Sequence, residues 1–181
     1  MEWLHKLAHF ARVSHLDLWL GGDFAAEALA QSGETAEHEA LSLFIFRLYS
    51  SAFHIFARRN SFHVVNESFH GFVVRRFIGG CEVTCEFSFL DWEEEGRLVT
   101  YLPEHTIYWP CKDPHAMPAV ELGGAHILCC DWEMLYAANE VRALLRPGQP
   151  ASPYEDLILR HVRPARRREI DRQLVVAYGA E

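Results

Sequence analysis

Cys111 stands in a proline-rich loop, "PCKDPHAMP" at 110–118, beside Lys112 and close in sequence to His105 and His115. A thiol acts as a nucleophile in its thiolate form, a neighbouring cation favours that form, and an imidazole can take the proton. Cys111 is therefore the thiol from which reactivity is expected, with His105 or His115 as base, although no oxyanion-hole glycine pattern surrounds it. Cys81 and Cys85 form a second candidate, four residues apart in "VVRRFIGGCEVTCEFSF". On an extended strand their Cα atoms would be about 13 Å apart, too far to share a zinc ion or a disulfide. His5 and His9, spaced i,i+4 on an amphipathic segment, could share a helix face, but no carboxylate flanks them to complete a metal site.

The standard signatures of hydrolysis and nucleotide binding are missing. There is no GxxxxGK[ST], GxGxxG or GxSxG, and His38-Glu39 runs into Ala-Leu-Ser-Leu instead of completing HExxH. No cofactor and no metal is expected. What remains is surface. "LDWEEEGR" at 90–97 places Trp92 among Glu93, Glu94 and Glu95 at a turn between strands. A ring that supplies buried area and charges that steer are the chemistry of a protein interface. Trp109, at the end of the following strand, joins these as a binding candidate, and so do Arg166, Arg167 and Arg168 in the arginine-rich C-terminal segment.

The elements that would carry these residues follow from periodicity. "ETAEHEALSLFIFRLYSSAFHIFARRN" offers Thr35 as an N-cap, Glu37 and Glu39 in a first turn, and Arg58 and Arg59 in a last turn. It predicts one long buried helix over 36–59. From residue 61 the apolar period falls to two. "SFHVVNE", "FHGFVVRRFI", "CEVTCEFSFL", "RLVTYL" and "HTIYW" predict an antiparallel meander, followed by a short apolar run, "AHILCC".

Gly79-Gly80 predicts a two-residue hairpin turn that pairs Ile78 with Cys81, Arg76 with Val83, Val74 with Cys85 and Phe72 with Phe87. This register turns both cysteines inward and Glu82, Thr84, Glu86 and Ser88 outward. Asn66-Glu67 is a second turn candidate, which would set His63 opposite His70, with Gly71 as a competitor. Upstream, residues 1–20 read as amphipathic helical pieces with a break at "GGD", and "FAAEALAQ" as a short helix closed by Gly33. Downstream, Asp131 caps a helix over 132–146. Ser152 opens a second helix to about Val162, and a last one follows Pro164.

The expected fold is thus a single α+β domain over 1–181: an antiparallel β-meander of about five strands packed on a long buried helix, with N- and C-terminal helices. Half of the 181 residues are hydrophobic, which excludes a disordered chain. The five cysteines, odd in number and irregular in spacing, fit a reduced, cytoplasmic setting. Arg47 in the middle of the longest apolar run argues against a membrane span. Residues 1–159 hold 11 Lys and Arg against 22 Asp and Glu, whereas 160–172 hold six Arg against two acids. An acidic body makes nucleic acid a poor partner and a basic protein a good one. The sequence alone therefore predicts a protein that binds another macromolecule, as an inhibitor or immunity-type partner of a basic protein. Two alternatives are a cysteine-dependent enzyme using the Cys111 loop and a nucleic-acid-binding regulator using the C-terminal arginines.

Overall fold

The computed structural model describes residues 2–30, 40–122 and 125–177. Gly79 and Gly80 have φ of 58° and 86°, the left-handed backbone that a two-residue hairpin turn requires and that glycine adopts without steric cost. They join β4 (Gly71–Ile78) to β5 (Cys81–Trp92). The pairs are Ile78 with Cys81, Arg76 with Val83, Val74 with Cys85 and Phe72 with Phe87, the register expected from the sequence. Cys85 is buried, but Cys81 is exposed, because the tip of this hairpin reaches beyond the core. The inward placement expected of both thiols holds for Cys85 alone. Before β4 comes β3 (His63–Ser68), whose His63 pairs with Arg75. The turn lies at Phe69-His70, so His63 and His70 do not face each other.

The expected meander on a long helix is not the fold. Residues 41–46 form a strand, β2 (Leu41–Phe46), and only Ser50–Arg59 is helical (α3), after a 3₁₀ turn at Arg47–Tyr49. Thr35, Glu37, Glu39 and Gly33, assigned capping or end positions from the sequence, lie outside the described residues. β2 runs parallel to β5, with register from Leu41–Cys85 to Phe46–Leu90. The sequence signal failed because β2 is buried on nearly every position. A strand covered on both faces shows no alternation, and a short apolar run cannot be told from buried helix by period.

On the far side of β2, β1 (Leu18–Gly21) pairs antiparallel with it and parallel with β9 (Ala125–Cys129), and β8 (Ala119–Leu122) closes that edge. On the other side, the end of β5 pairs with β6 (Leu98–Tyr101). That strand continues to β7 (His105–Tyr108) and β10 (Val175–Ala177). The described residues thus build a mixed sheet of ten strands, where an antiparallel five-strand meander was expected.

Helices cover both faces. α1 (Glu2–Val13) and α3 lie over the face that carries Cys85, Phe87 and Phe89. Phe10 stacks on Phe56 at 4.8 Å, Phe53 meets Phe87 at 5.7 Å and Phe72 stacks on Phe87 at 4.5 Å, the offset and edge contacts aromatic rings prefer. α2 (Gly22–Ala30) and α4 (Trp132–Leu145) belong to the opposite face. α5 (Glu155–His161) and α6 (Pro164–Gln173) brace α4. The Tyr136 hydroxyl donates to Asp171 at 2.7 Å, and the rings of Trp132 and His161 stack at 4.2 Å. Among the described residues no helix is long and apolar enough to cross a membrane.

Asp131 caps α4 as the sequence indicates, its carboxylate accepting from the Met134 amide at 2.8 Å. Replacing it with alanine removes that bond from a helix whose inner face is core. The expected loss is about 1 kcal/mol of unfolding free energy, measured by urea denaturation as a lower midpoint at unchanged slope.

Candidate ligand-binding cleft

Alternation along the two parallel strands divides their side chains between the sheet faces. Ser42 pairs with Glu86 and Phe44 with Ser88, and partners in register share a face. These four side chains look away from the aromatic layer, towards α4, and form the floor of a cavity of about 630 Å³. That volume falls within the range of small-molecule sites. One wall comes from β6 and β7, with Thr100, Leu102, His105, Ile107 and Trp109. The other is a stripe of α4 at helical spacing, Ala138, Val141, Arg142 and Leu145, with Asn139 beside it and Arg146 just past the end of the helix. His70 and Glu104 complete the rim.

Trp109 is held in place by a relay of hydrogen bonds. Its indole Nε1 donates to the Thr100 hydroxyl at 2.9 Å, and Thr100 donates to the Phe89 carbonyl at 2.6 Å. The ring stands edge-on to Phe44 at 5.2 Å. Gly22 closes the floor where β1 passes into α2. Its φ is +64°, and a Cβ there would meet Ser42 Oγ at 2.8 Å. The chain can make this turn over Ser42 because the residue is glycine. A Glu86 oxygen lies 4.0 Å from an Arg146 nitrogen, both side chains being partly exposed, so the two charges are loosely coupled and open to a ligand.

The residues singled out from the sequence are scattered. Trp92 is exposed at the end of β5 with its ring 5.8 Å from Phe46. In the turn that follows, Glu93 and Glu95 pair with Arg97 at 2.6 and 3.2 Å, Glu93 also accepts from Tyr108, and Glu94 is exposed. Of the binding candidates, Trp109 is the one that reaches the cleft, and His105, a candidate base, lines it as well. Arg166 bonds Glu133 and Glu169, each at 2.8 Å, which fastens α6 to α4. Arg167 is half-buried and Arg168 exposed.

The cleft residues Ser42, Phe44, Glu86, Ser88, Asn139, Arg142 and Arg146 were not singled out. Two signals were present: the polar face carrying Glu86 and Ser88, and the strand–Gly-Gly–helix passage "LWLGGDFAAEAL". By composition the second signals no more than a break. His9 lies 3.4 Å from Arg12, and among the described residues no group of three or more His, Cys, Asp or Glu is placed to hold a metal ion.

Cys111 does not have the environment of a nucleophile. It is buried, and burial, followed by the negative charge of Asp131, pushes its thiol up to about 11. His115 is instead directed to Asp17 at 3.6 Å, and His105 lines the cleft. A thiol so far above neutrality is almost wholly protonated, which removes the expected cysteine chemistry.

No family model matches the sequence, and no curated protein matches it. Solved structures do. The crystal structure of ANT(2'')-Ia in complex with adenylyl-2''-tobramycin is 19% identical and superposes with a TM-score of 0.67 over 93% of this chain and 92% of that one. The solution structure of ANT(2'')-Ia gives 18% and 0.66, over 92% and 86%. The lincomycin-bound lincosamide antibiotic adenylyltransferase LnuA gives 11% and 0.62, over 92% and 95%.

The fold is that of the antibiotic nucleotidyltransferases. In those proteins this architecture handles small molecules, an adenylylated tobramycin in one and lincomycin in the other. The expectation of an inhibitor or immunity-type partner of a basic protein is thereby overturned, and with it the protein partner. Of the arginines behind the nucleic-acid alternative, Arg166 is engaged within the molecule and Arg168 is exposed. Charge and an exposed ring suggested docking, but both belong to a turn in which Glu93 and Glu95 pair with Arg97 and Glu93 also accepts from Tyr108.

Two measurements follow from this geometry. Iodoacetamide should label the exposed Cys81 first. Cys85 and Cys129, each raised to about 12 by burial, and Cys111, at about 11, should lag it at pH 8 by mass spectrometry. His70 is held below its ordinary 6.5 by burial and then by the charges of Arg146 and Arg47. The folded protein therefore binds this proton less readily than the unfolded chain. Its contribution to stability is complete above pH 6.5 and declines as the pH falls below that value. His70 keeps much of its exposure, so the effect is modest. It should appear as a smaller loss of melting temperature between pH 7 and pH 5 in His70→Gln than in the wild type.

Proposed function

We propose that this chain recognises a small organic molecule bearing hydroxyl or amino groups, held in the cleft between the β2–β5 floor and α4. The carrying observation is Glu86, a carboxylate on the floor of the cavity, flanked by the Ser42 and Ser88 hydroxyls. It can accept hydrogen bonds from a ligand hydroxyl or ammonium group. Phe44, Trp109 and Leu145 offer apolar surface to the ligand's carbon frame, and Arg142, Arg146 and Asn139 can meet its acceptors. Tight binding in such a site comes from apolar burial, and the few polar groups set orientation. The likeness to structures that hold an adenylylated tobramycin and lincomycin supports a ligand of that size.

The position of Glu86 favours a second reading, transfer of a nucleotidyl group to the bound molecule. In that case the same carboxylate would take the proton from the attacking hydroxyl. We place the protein in the cytoplasm, a setting supported by five unpaired thiols. We also treat 1–181 as one domain, since a single sheet runs through the described residues.

Tobramycin and lincomycin serve as probes of stated chemistry. At least one should raise the melting temperature and bind saturably by calorimetry. Glu86→Gln should weaken that binding about tenfold, and Trp109→Leu should weaken it further. Binding unaffected by both substitutions would place recognition elsewhere. Incubation of protein and probe with ATP, followed by mass spectrometry of the probe, separates the two readings: an added adenylyl mass belongs to the second.

A further inference from the structure

We infer that the cleft takes its ligand without a divalent cation, because its donor set does not fit the metal ions that nucleotidyl transfer uses. Such transfer leaves a polyphosphate, whose growing charge is ordinarily neutralised by one or two divalent ions. Those ions need hard oxygen ligands, with carboxylates projecting from the rigid part of the site. Here the rigid part is the pair of parallel strands. β2 contributes Ser42 and Phe44 to it, and Ala40 stands two residues before Ser42. β5 contributes Glu86 and Ser88, so among the described residues the floor carries a single carboxylate.

That carboxylate already has a cation for a neighbour, Arg146 at the end of α4, 4.0 Å away. A guanidinium there repels a divalent ion about twice as strongly as it repels a singly charged ammonium group. Glu104, the other cleft acid, comes from the loop between β6 and β7 and is exposed. Among the described residues, two hydroxyls and one carboxylate on the floor, facing Arg142 and Arg146, suit a polar organic ligand better than a metal pair. The donor set therefore favours recognition over metal-assisted nucleotidyl transfer. Ser42 is the position that decides this, since it lies directly opposite Glu86 in the parallel register.

This inference rests on the cleft being the functional site, and the two ideas fail differently. Absence of any saturable organic ligand counts against the cleft, whereas metal binding counts against the inference. The experiment titrates the full chain with Mn²⁺ alone and reads free Mn²⁺ by electron paramagnetic resonance. Wild type should show no stoichiometric site. Ser42→Asp, which sets a second carboxylate against Glu86, should gain a site at least tenfold tighter than any wild-type binding. Adding Glu86→Gln to that variant should abolish the gain. Ser88→Asp, on the same floor, provides a second gain-of-binding variant should Ser42→Asp fail to fold, which a thermal melt reports. Stoichiometric Mn²⁺ binding by wild type that is lost in Glu86→Gln would overturn the inference. So would folded Ser42→Asp and Ser88→Asp proteins that both fail to gain the metal.

Discussion

Parallel pairing between β2 and β5 is the constraint from which the cleft follows. Parallel neighbours cannot be joined by a tight turn. The chain between them makes a long excursion through α3 and the β3–β4 hairpin before β5 returns beside β2. The register then decides everything on the two faces. Leu41, Leu43 and Ile45 share one with Cys85, Phe87 and Phe89, while Ser42 and Phe44 share the other with Glu86 and Ser88. A slip of one residue would exchange the faces of β2, putting a hydroxyl into the aromatic layer and leucines into the cleft.

Arg47 helps to hold that pairing at its end. Its guanidinium reaches Asp91, just past the last β2–β5 pair, at 2.8 Å, donates to the Phe69 carbonyl and lies 4.3 Å from the Phe69 ring centroid. One side chain thus ties the end of β2 to the end of β5 and to the β3–β4 turn. Its bidentate geometry and partial burial make it a stronger tie than an exposed pair. In the sequence, this arginine interrupts the longest apolar run and argues against a membrane span. In the fold it is a clamp.

The cleft is built from parts with different tolerances. Its floor rests on strands packed from below by Phe10, Phe53, Phe56, Phe72 and Phe87, so positions 42, 44, 86 and 88 are fixed by core packing. Its walls belong to α4 and to the β6–β7 hairpin. The first is tied to α6 through Tyr136–Asp171 and Arg166–Glu133, and the second is pinned to β5 by the Trp109–Thr100–Phe89 relay. Arg166 in the C-terminal arginine run thereby contributes to the cleft at a distance. Arg166 holds the helix that forms its wall, and the burden of positive charge inside falls to Arg142 and Arg146.

Local signals were enough for the hairpin. Gly79-Gly80 and the alternation around it determined the β4–β5 register residue by residue. Asp131, with the apolar spacing after it, determined α4, because turn chemistry and capping act over four residues or fewer. The strands β3 to β7 were legible for the same reason. Neither β2 nor the cleft could be read this way. Whether "LSLFIF" extends or coils depends on β1, β5 and the layers above and below it, none of which is encoded within its own six residues. Glu86 became a site residue only when the parallel register set Ser42 opposite it and α4 closed over both, and Cys111 lost its promise only when burial and Asp131 surrounded it. One-dimensional order specifies turns, caps and half-buried strands; the pairing of distant strands and the convergence of side chains on a common space are decided by how the whole chain buries its apolar surface.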